Sequence, residues 1–267
     1  MTSATTCLAE AAFGPRPDLW PLPAPTSQRD RWLRAVAAGG QGRYASALTD
    51  LAHLAAHTAP GPGGEPLLSL SYSTRASFLR QLGGHDLARG WDGRAWAAAG
   101  QDREAGADAL IGLAADALGV GRFALSATLL QRAERLIDGS GPARLPVRLH
   151  WVSAELNMAG GAGAVAVGHA ERATELAEST GSPRHAVKSA VVLAAALCSA
   201  GRLPDARRIA DEAFGDTERL GLVPLRWALA CLLADIGSTV HPPAHVAAVR
   251  DAAADTVRRR GGVWTRR

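Results

Sequence analysis

Two helical stretches of this sequence carry polar side chains at spacings that put them on one helix face. Ser73, Ser77 and Arg80 stand at i, i+4 and i+7, so two hydroxyls and a guanidinium share one side of a helix. A second stretch repeats this spacing with Arg148, Trp151, Glu155 and Met158. Hydroxyls and arginines bind peptides and carboxylates, but a solvated helix face has the same composition. Both interpretations stay open at this point.

Two histidine motifs could serve metal chemistry. His53 and His57 lie four residues apart, but no glutamate stands beside them as in HExxH. His85-Asp86 resembles the metal-binding pair of HD-type helical hydrolases, a family that needs further His and Asp ligands. The sequence has no GxxxxGK[ST], no GxGxxG after a strand and no GxSxG, and nothing pairs a nucleophile with an oriented base. We therefore expect a protein that is not an enzyme and that holds no cofactor or metal.

The composition favours helices as the elements that position these residues. Alanine supplies 56 of the 267 residues, whereas the β-branched and aromatic residues that strands need are few. The segment Gly84–Trp96 concentrates two tryptophans, Trp91 and Trp96, which suit either a partner-binding patch or the packing between helices. The composition predicts an all-α fold.

A sequence repeat indicates how the helices are arranged. A short motif, in which a glycine is followed by Arg and then by an aromatic residue or Leu, begins at Gly42, Gly121 and Gly201. Weaker copies of the motif begin at Gly83 and Gly161. Small residues precede each glycine by seven positions (Ala35, Ala76, Ala114, Ala154 and Ala194) and follow it by five (Ala47, Ala88, Ser126, Ala166 and Ala206). A further set lies seven positions beyond those (Leu54, Ala95, Ala133, Ala173 and Ala213). Close-packed helix pairs joined by a glycine turn explain this period of about 40 residues.

The repeat resembles the tetratricopeptide repeat (TPR) over roughly residues 29–220. The best copy runs through Leu110, Leu113, Ala114, Ala117, Gly121, Phe123, Ser126, Leu130 and Ala133. The period is longer than the family's, and the family's first-helix Trp and terminal Pro are mostly lost, so HEAT-type repeats remain an alternative. The resemblance implies a right-handed α-solenoid of about five to six antiparallel helix hairpins. A degenerate last hairpin would cover residues 224–234 and 243–260.

In the resembling family, the first helix of each repeat lines a concave groove that binds partners. Carried over residue by residue, this implies that the groove of this chain is lined by Ser73, Ser77, Arg80, Gln81, Arg148, Trp151, Glu155, Met158, Lys188 and Trp227. The resemblance implies a non-catalytic scaffold or adaptor that binds a protein or peptide there. The alternative is a regulatory or sensory module of a transcription or signalling system, binding a small ligand or a regulator in trans.

The two ends differ from the repeat region. Residues 14–27 hold five prolines, so we expect residues 1–28 to be extended or disordered, residues 29–260 to form the repeat domain and residues 261–267 to be a basic tail. Residues 258–267 carry five arginines and no acid; without them, 24 basic groups stand against 25 acidic ones. The net charge of +4 therefore comes from residues 258–267. Residues Arg258–Arg267 suit either weak contact with nucleic acid or anionic lipid, or a solvated helix end, and we expect no specific nucleic-acid binding.

Cysteine usage and hydropathy bear on the compartment. Cys7, Cys198 and Cys231 are odd in number, far apart and without CxxC spacing, as is typical of a reducing compartment. Residues 1–14 lack the features of a signal peptide, and the longest apolar run, about residues 187–200, is too short to span a bilayer. The 28 arginines beside a single lysine, Lys188, indicate a high-G+C coding sequence. We expect a soluble, cytoplasmic, bacterial protein of unknown oligomeric state.

Overall fold

The computed structural model describes residues 3–58, 64–137 and 141–265. Over these residues the chain is all-α, with thirteen helices and no strand. The helices are Ala4–Phe13 (α1), Gln28–Gly40 (α2), Tyr44–Ala56 (α3), Pro66–Gln81 (α4), His85–Ala99 (α5), Arg103–Gly119 (α6), Phe123–Leu136 (α7), Arg144–Ala159 (α8), Gly163–Ser179 (α9), Pro183–Ser199 (α10), Leu203–Arg219 (α11), Val223–Ile236 (α12) and Pro243–Arg259 (α13). None of these helices combines the length and the apolar character needed to cross a membrane.

The predicted glycine turns join the helices in pairs. Gly42, Gly83, Gly121, Gly161 and Gly201 all have positive φ, and each lies in a three-residue turn between an even-numbered helix and the next helix. In every one of these turns the N–H after the glycine donates to the carbonyl five residues earlier, as Arg122 N does to Ala117 O at 2.8 Å. This is the Schellman motif, in which a left-handed glycine ends a helix and satisfies its free carbonyls.

The small residues of the repeat lie where helices touch. All fifteen of the residues that the repeat aligns around its glycines are between 0 and 4% exposed. A methyl group lets two helix axes approach closely, so the alanine excess is concentrated at helix–helix contacts. The packing is compatible with a helical repeat.

Each helix contacts the next one along the chain, and the even-numbered helices also contact each other. The latter contacts run in order from α2 to α4, α6, α8, α10 and α12. Six helices therefore lie side by side, each backed by at least one odd-numbered helix. This arrangement directs one face of every even-numbered helix toward a common interior.

The N-terminal segment differs from the expected extended or disordered lead over residues 1–28. Ala4–Phe13 is helical: Ser3 caps it by accepting from Thr6 N at 3.1 Å, and Leu8 is fully buried. The apolar face of α1 packs on α2. The prolines that led to the expectation of an extended segment all follow this helix in sequence. Residues 14–27 contain no helix, but Gln41 Nε2 donates to Pro17 O and Leu19 O at 2.8 and 2.9 Å and holds them against the body.

The C-terminal residues return to the first helices. Arg260 Nη1 donates to Gln41 O at 2.7 Å, and Ala45 N donates to Arg260 O at 2.9 Å. Thr265 N donates to Leu82 O at 2.9 Å. The described part of the predicted basic tail, residues 261–265, therefore lies against the turns that follow α2 and α4. Arg266 and Arg267 lie outside the described residues.

Candidate functional site

The interior shared by the even-numbered helices contains a cavity of about 320 Å³, which we call the inner cavity. Residues from α2, α4, α6, α8, α10 and α12 line it, and α1 adds Phe13. The lining residues are Phe13, Trp32, Val36, Gly40, Ser73, Thr74, Ser77, Phe78, Gln81, Asp108, Arg144, Arg148, Trp151, Arg184, His185, Lys188, Pro224, Leu225, Trp227 and Ala228. Its volume is at the lower end of the range for pockets that bind small organic molecules.

Seven of the ten residues predicted for a groove line the inner cavity. They are Ser73, Ser77, Gln81, Arg148, Trp151, Lys188 and Trp227. They come from α4, α8, α10 and α12, so residues up to 154 positions apart in sequence (227 − 73) share one site. They meet because each occupies the inward face of the first helix of its pair.

Arg80 is placed elsewhere, in a buried ion cluster between helices. It pairs with Asp92 of α5 and with Asp116 of α6, the latter at 3.0 Å, and its side chain is 11% exposed. Burial raises the pKa of Asp92, and it raises that of Asp116 to about 7. Because Arg80 holds two buried carboxylates together, its position fits a structural role.

Glu155 and Met158 are also absent from the cavity lining. Glu155 Oε1 forms an ion pair with Lys188 Nζ at 3.2 Å. Met158 packs against the core that α8, α9 and α10 share, where it contributes apolar contact. Of the second predicted stripe, only Arg148 and Trp151 therefore reach the inner cavity.

Arg144, Arg148, Arg184 and Lys188 form a basic cluster in the cavity lining. Two of its members meet carboxylates of α6. Arg144 donates to Asp108 Oδ1 at 3.0 Å and to Glu104 Oε1 at 2.6 Å. Arg148 pairs with the same Asp108. One α6 carboxylate thus serves two guanidiniums.

Arg184 is the member of the basic cluster that has no acidic partner among the described residues. Its guanidinium carbon lies 5.6 Å from the centre of the Phe13 ring, within cation–π range. A Cβ added to Gly40 would lie 3.1 Å from Arg184 Cδ. The side chain therefore extends from α10 to the backbone of α2.

The basic cluster perturbs its own titration. Burial first, and then the charge of Arg144, lowers the pKa of Arg184 to about 10. Burial also lowers the pKa of Arg148 to about 10, with further contributions from Arg80 and Arg184. His185 has its pKa well below the ordinary value because it is buried next to Arg184, Arg144 and Arg148. At neutral pH the site therefore holds closely spaced cations around a neutral imidazole.

Aromatic side chains form much of the apolar part of the lining, and hydrogen bonds fix two of them. Trp32 Nε1 donates to Thr74 Oγ1 at 3.0 Å, and Trp151 Nε1 donates to Ser189 Oγ at 2.9 Å. The Phe13 ring lies 5.5 Å from Trp32, centre to centre. These rings present rigid apolar surface, because both indole N–H groups already have partners.

Sequence reasoning missed several lining residues. Arg144 precedes Arg148 by four positions, and Arg184 precedes Lys188 by four, so the i, i+4 rule could have extended both stripes by one turn. Phe13 lies in a segment that the prolines led us to expect as extended. Asp108 belongs to a helix in which the sequence singled out no polar stripe.

The histidine and tryptophan motifs lie away from the inner cavity. The rings of His53 and His57 stack with centres 4.0 Å apart, and Asp86 is exposed beside a half-buried His85. Over the described ranges, no three His, Cys, Asp or Glu side chains meet in a way that could hold a metal ion. Trp91 is half-buried, with Arg75 and Arg94 over its ring, and Trp96 is 40% exposed.

No protein-family model and no curated protein matches this chain. The chemistry of the inner cavity must therefore be argued from its own residues. Cationic groups beside rigid aromatic surface can hold a partner by charge and by apolar burial together. Such a lining suits the binding of a partner.

Proposed function

We propose that this chain is a non-catalytic, TPR-like scaffold or adaptor that binds a protein or peptide partner through the inner face of its even-numbered helices. The observation that carries the proposal is the convergence of seven groove residues on one cavity. The repeat register in the sequence selects those residues without reference to any contact. A chance polar pattern gives no reason for four separate helices to turn the selected residues inward.

The proposal includes the type of helical repeat that these helix pairs form. Five helix pairs have like turns, and a longer connection joins a sixth pair, α12 and α13. Because each first helix also contacts the first helix of the next pair, the array suits a right-handed α-solenoid of TPR type. In such an array the first helices line the concave side. That side is where a partner would bind.

The test compares a blocked cavity with a matched outer change. Ser77→Trp fills the inner cavity from a half-buried position, whereas Arg208→Glu reverses an exposed charge on α11 that pairs with Glu212 at 3.1 Å. Partners captured from native extract by the wild-type protein are identified by mass spectrometry and quantified for both variants. We expect Ser77→Trp to lose partners that Arg208→Glu retains. Equal recovery by both variants would contradict a binding face on the even-numbered helices.

A second candidate function, a sensory module that binds a small ligand, is favoured by how the inner cavity is closed. Phe13 of α1 forms part of its wall, and Trp264 lies 4.3 Å from the lining residue Trp227, centre to centre. Both ends of the described chain therefore narrow the space around the site. A thermal-shift screen against metabolites tests this candidate, since a ligand that binds the folded state raises Tm. Partner capture without any metabolite-induced shift would favour the adaptor.

A further inference from the structure

The charges that line the inner cavity do not balance, whereas the neighbouring Arg80, Asp92 and Asp116 pair with one another outside the lining. Four cationic side chains line it, and one carboxylate, Asp108, lines it with them. Adding Glu104 and Glu155, which pair with members of the basic cluster from just outside the lining, gives three carboxylates for four cations. Within the described residues, the surplus cation is Arg184.

The Arg184 side chain lies against the backbone of α2 at the cavity. Its Cδ and one Nη lie 3.1 and 3.2 Å from the position that a Cβ on Gly40 would take. The guanidinium of Arg144, on α8, lies 5.5 Å from the centre of the same Phe13 ring. A charge held without a counter-ion costs free energy, and a bound anion would remove that cost.

The titration of the basic cluster agrees with this imbalance. The charge of Arg144 lowers the pKa of Arg184, and the charge of Arg184 lowers the pKa of Arg148, because the three guanidiniums repel one another at close range. An anion placed among them would reverse both effects. The same anion would also offset their repulsion of a proton on His185.

We propose that the inner cavity is a receptor for an organic anion, a carboxylate or phosphate carried on a flat apolar body, and that Arg184 binds its charged group. A planar guanidinium can donate two parallel hydrogen bonds to such an oxyanion. The inference rests on the proposed function only in taking the inner cavity as the binding site. It adds the chemical class of the occupant.

The apolar body follows from the surface next to Arg184. Phe13, Trp32 and Trp151 line the cavity, and their polar atoms are already satisfied or lacking. A flat ring packs against such surface with little loss of side-chain freedom, because these rings are fixed before the ligand arrives. A bare inorganic ion would leave this surface unused.

The same anionic chemistry could reach the cavity on a small molecule or on an acidic, aromatic segment of a protein. The test therefore uses four probes on the full-length chain, measured by titration calorimetry. They are 1-naphthyl phosphate, 1-naphthylacetate, neutral 1-naphthol and an acetylated Asp-Glu-Glu-Trp peptide. Inorganic phosphate is titrated as a reference for the charge alone.

For the wild-type protein we expect the naphthyl anions to bind at least tenfold more tightly than 1-naphthol and than inorganic phosphate. Arg184→Gln should reduce the preference for the anion to below threefold, whereas Arg208→Gln on the outside of α11 should leave it intact. Arg184→Gln removes an unpaired charge, so it should also keep the wild-type Tm without ligand. A peptide that binds more tightly than the naphthyl anions places the anion on a protein partner, and the reverse order places it on a small molecule; both orders support an anion site.

Three results would overturn the anion site: equal affinity for 1-naphthol and the naphthyl anions, an unchanged preference in Arg184→Gln, or no binding of any anion at millimolar concentration. The adaptor proposal fails separately. If Ser77→Trp keeps every captured partner while anion binding depends on Arg184, the adaptor is contradicted and the anion site stands. If Ser77→Trp loses partners and no anion binds, the adaptor stands without it.

Discussion

Arg80 and Arg184 are both arginines on even-numbered helices, yet they meet different surroundings. Arg80 lies between the carboxylates of Asp92 and Asp116, which are fully buried. Arg184 lies beside other cations and an aromatic ring. One guanidinium therefore neutralises buried charge, and the other concentrates positive charge at a cavity. Sequence spacing selected Arg80 for the groove and missed Arg184.

The first prediction concerns Arg80. Arg80→Met keeps most of the side-chain volume but leaves two buried carboxylates without their cation, and should lower the free energy of unfolding by about 3 kcal/mol. Arg208→Met, which breaks an exposed pair, should change it by no more than ~0.5 kcal/mol. Urea unfolding at pH 7 measures both. Similar small losses for the two variants would contradict the structural role of Arg80.

The second prediction concerns His185 and pH. Its pKa in the folded protein lies well below the ordinary value of 6.5, mainly because it is buried and secondly because of Arg184. Below about pH 6.5 the unfolded chain takes up a proton that the folded chain does not, so stability falls as the pH drops. Relative to His185→Gln, the wild-type protein should therefore lose stability between pH 7 and pH 5.

The wild-type protein is compared with His185→Gln because other groups also titrate between pH 7 and pH 5. Asp116, with its raised pKa of about 7, shifts stability in the opposite direction as the pH falls. Its contribution is common to wild type and His185→Gln and cancels in the difference. Chemical unfolding at several pH values measures that difference, and a pH-independent value would contradict a neutral, buried His185.

At the scale of elements, the glycine turns decide where each helix ends. Gly121 has φ of +77° and ends α6, and a Cβ there would meet no other atom within 4 Å. The cost of replacing it is therefore backbone strain alone. Gly90, in the interior of α5, also has free space for a Cβ, but its backbone is helical.

The third prediction uses this matched pair of glycines. Gly121→Ala should lower the free energy of unfolding by about 1 kcal/mol, since alanine resists the left-handed conformation. Gly90→Ala should raise it by up to about 1 kcal/mol, because alanine favours the helix and restricts the unfolded chain. Thermal or urea unfolding of both variants gives the signs. A gain in stability at Gly121 would contradict the Schellman turn.

At the scale of the whole molecule, the two ends of the chain meet the same helices. Arg260 bonds to Gln41, 219 positions away in sequence. Trp264 then packs on Trp227, a residue that lines the inner cavity. The C-terminal segment thus ties the last helix pair to the first two pairs and contacts one residue of the cavity lining.

The fourth prediction tests this connection. Trp264→Ala should lower the free energy of unfolding by about 1–2 kcal/mol, because it removes a half-buried indole from the Trp227 ring. Val263→Ala is the control, since Val263 is 80% exposed and should cost little. Urea unfolding, followed by circular dichroism, provides the readout. If the two variants behave alike, the segment does not stabilise the fold.

By itself, the sequence determined the all-α class, the turns at the five repeat glycines and the small residues at the helix contacts. These features are local: a left-handed turn needs glycine, and a close helix contact needs a small side chain wherever it occurs. Helical periodicity also predicted the helix faces from which seven of the ten selected residues line the inner cavity.

Only the tertiary structure decided which of those residues share a cavity and which carry out other roles. Arg80 pairs with carboxylates 12 and 36 positions away in sequence. Phe13 contacts the basic cluster from α1, a helix that the sequence analysis did not predict. The surplus charge at Arg184 likewise depends on where every carboxylate of α6 and α8 lies. Such long-range pairings arise from packing among helices distant in sequence, and no local spacing encodes them.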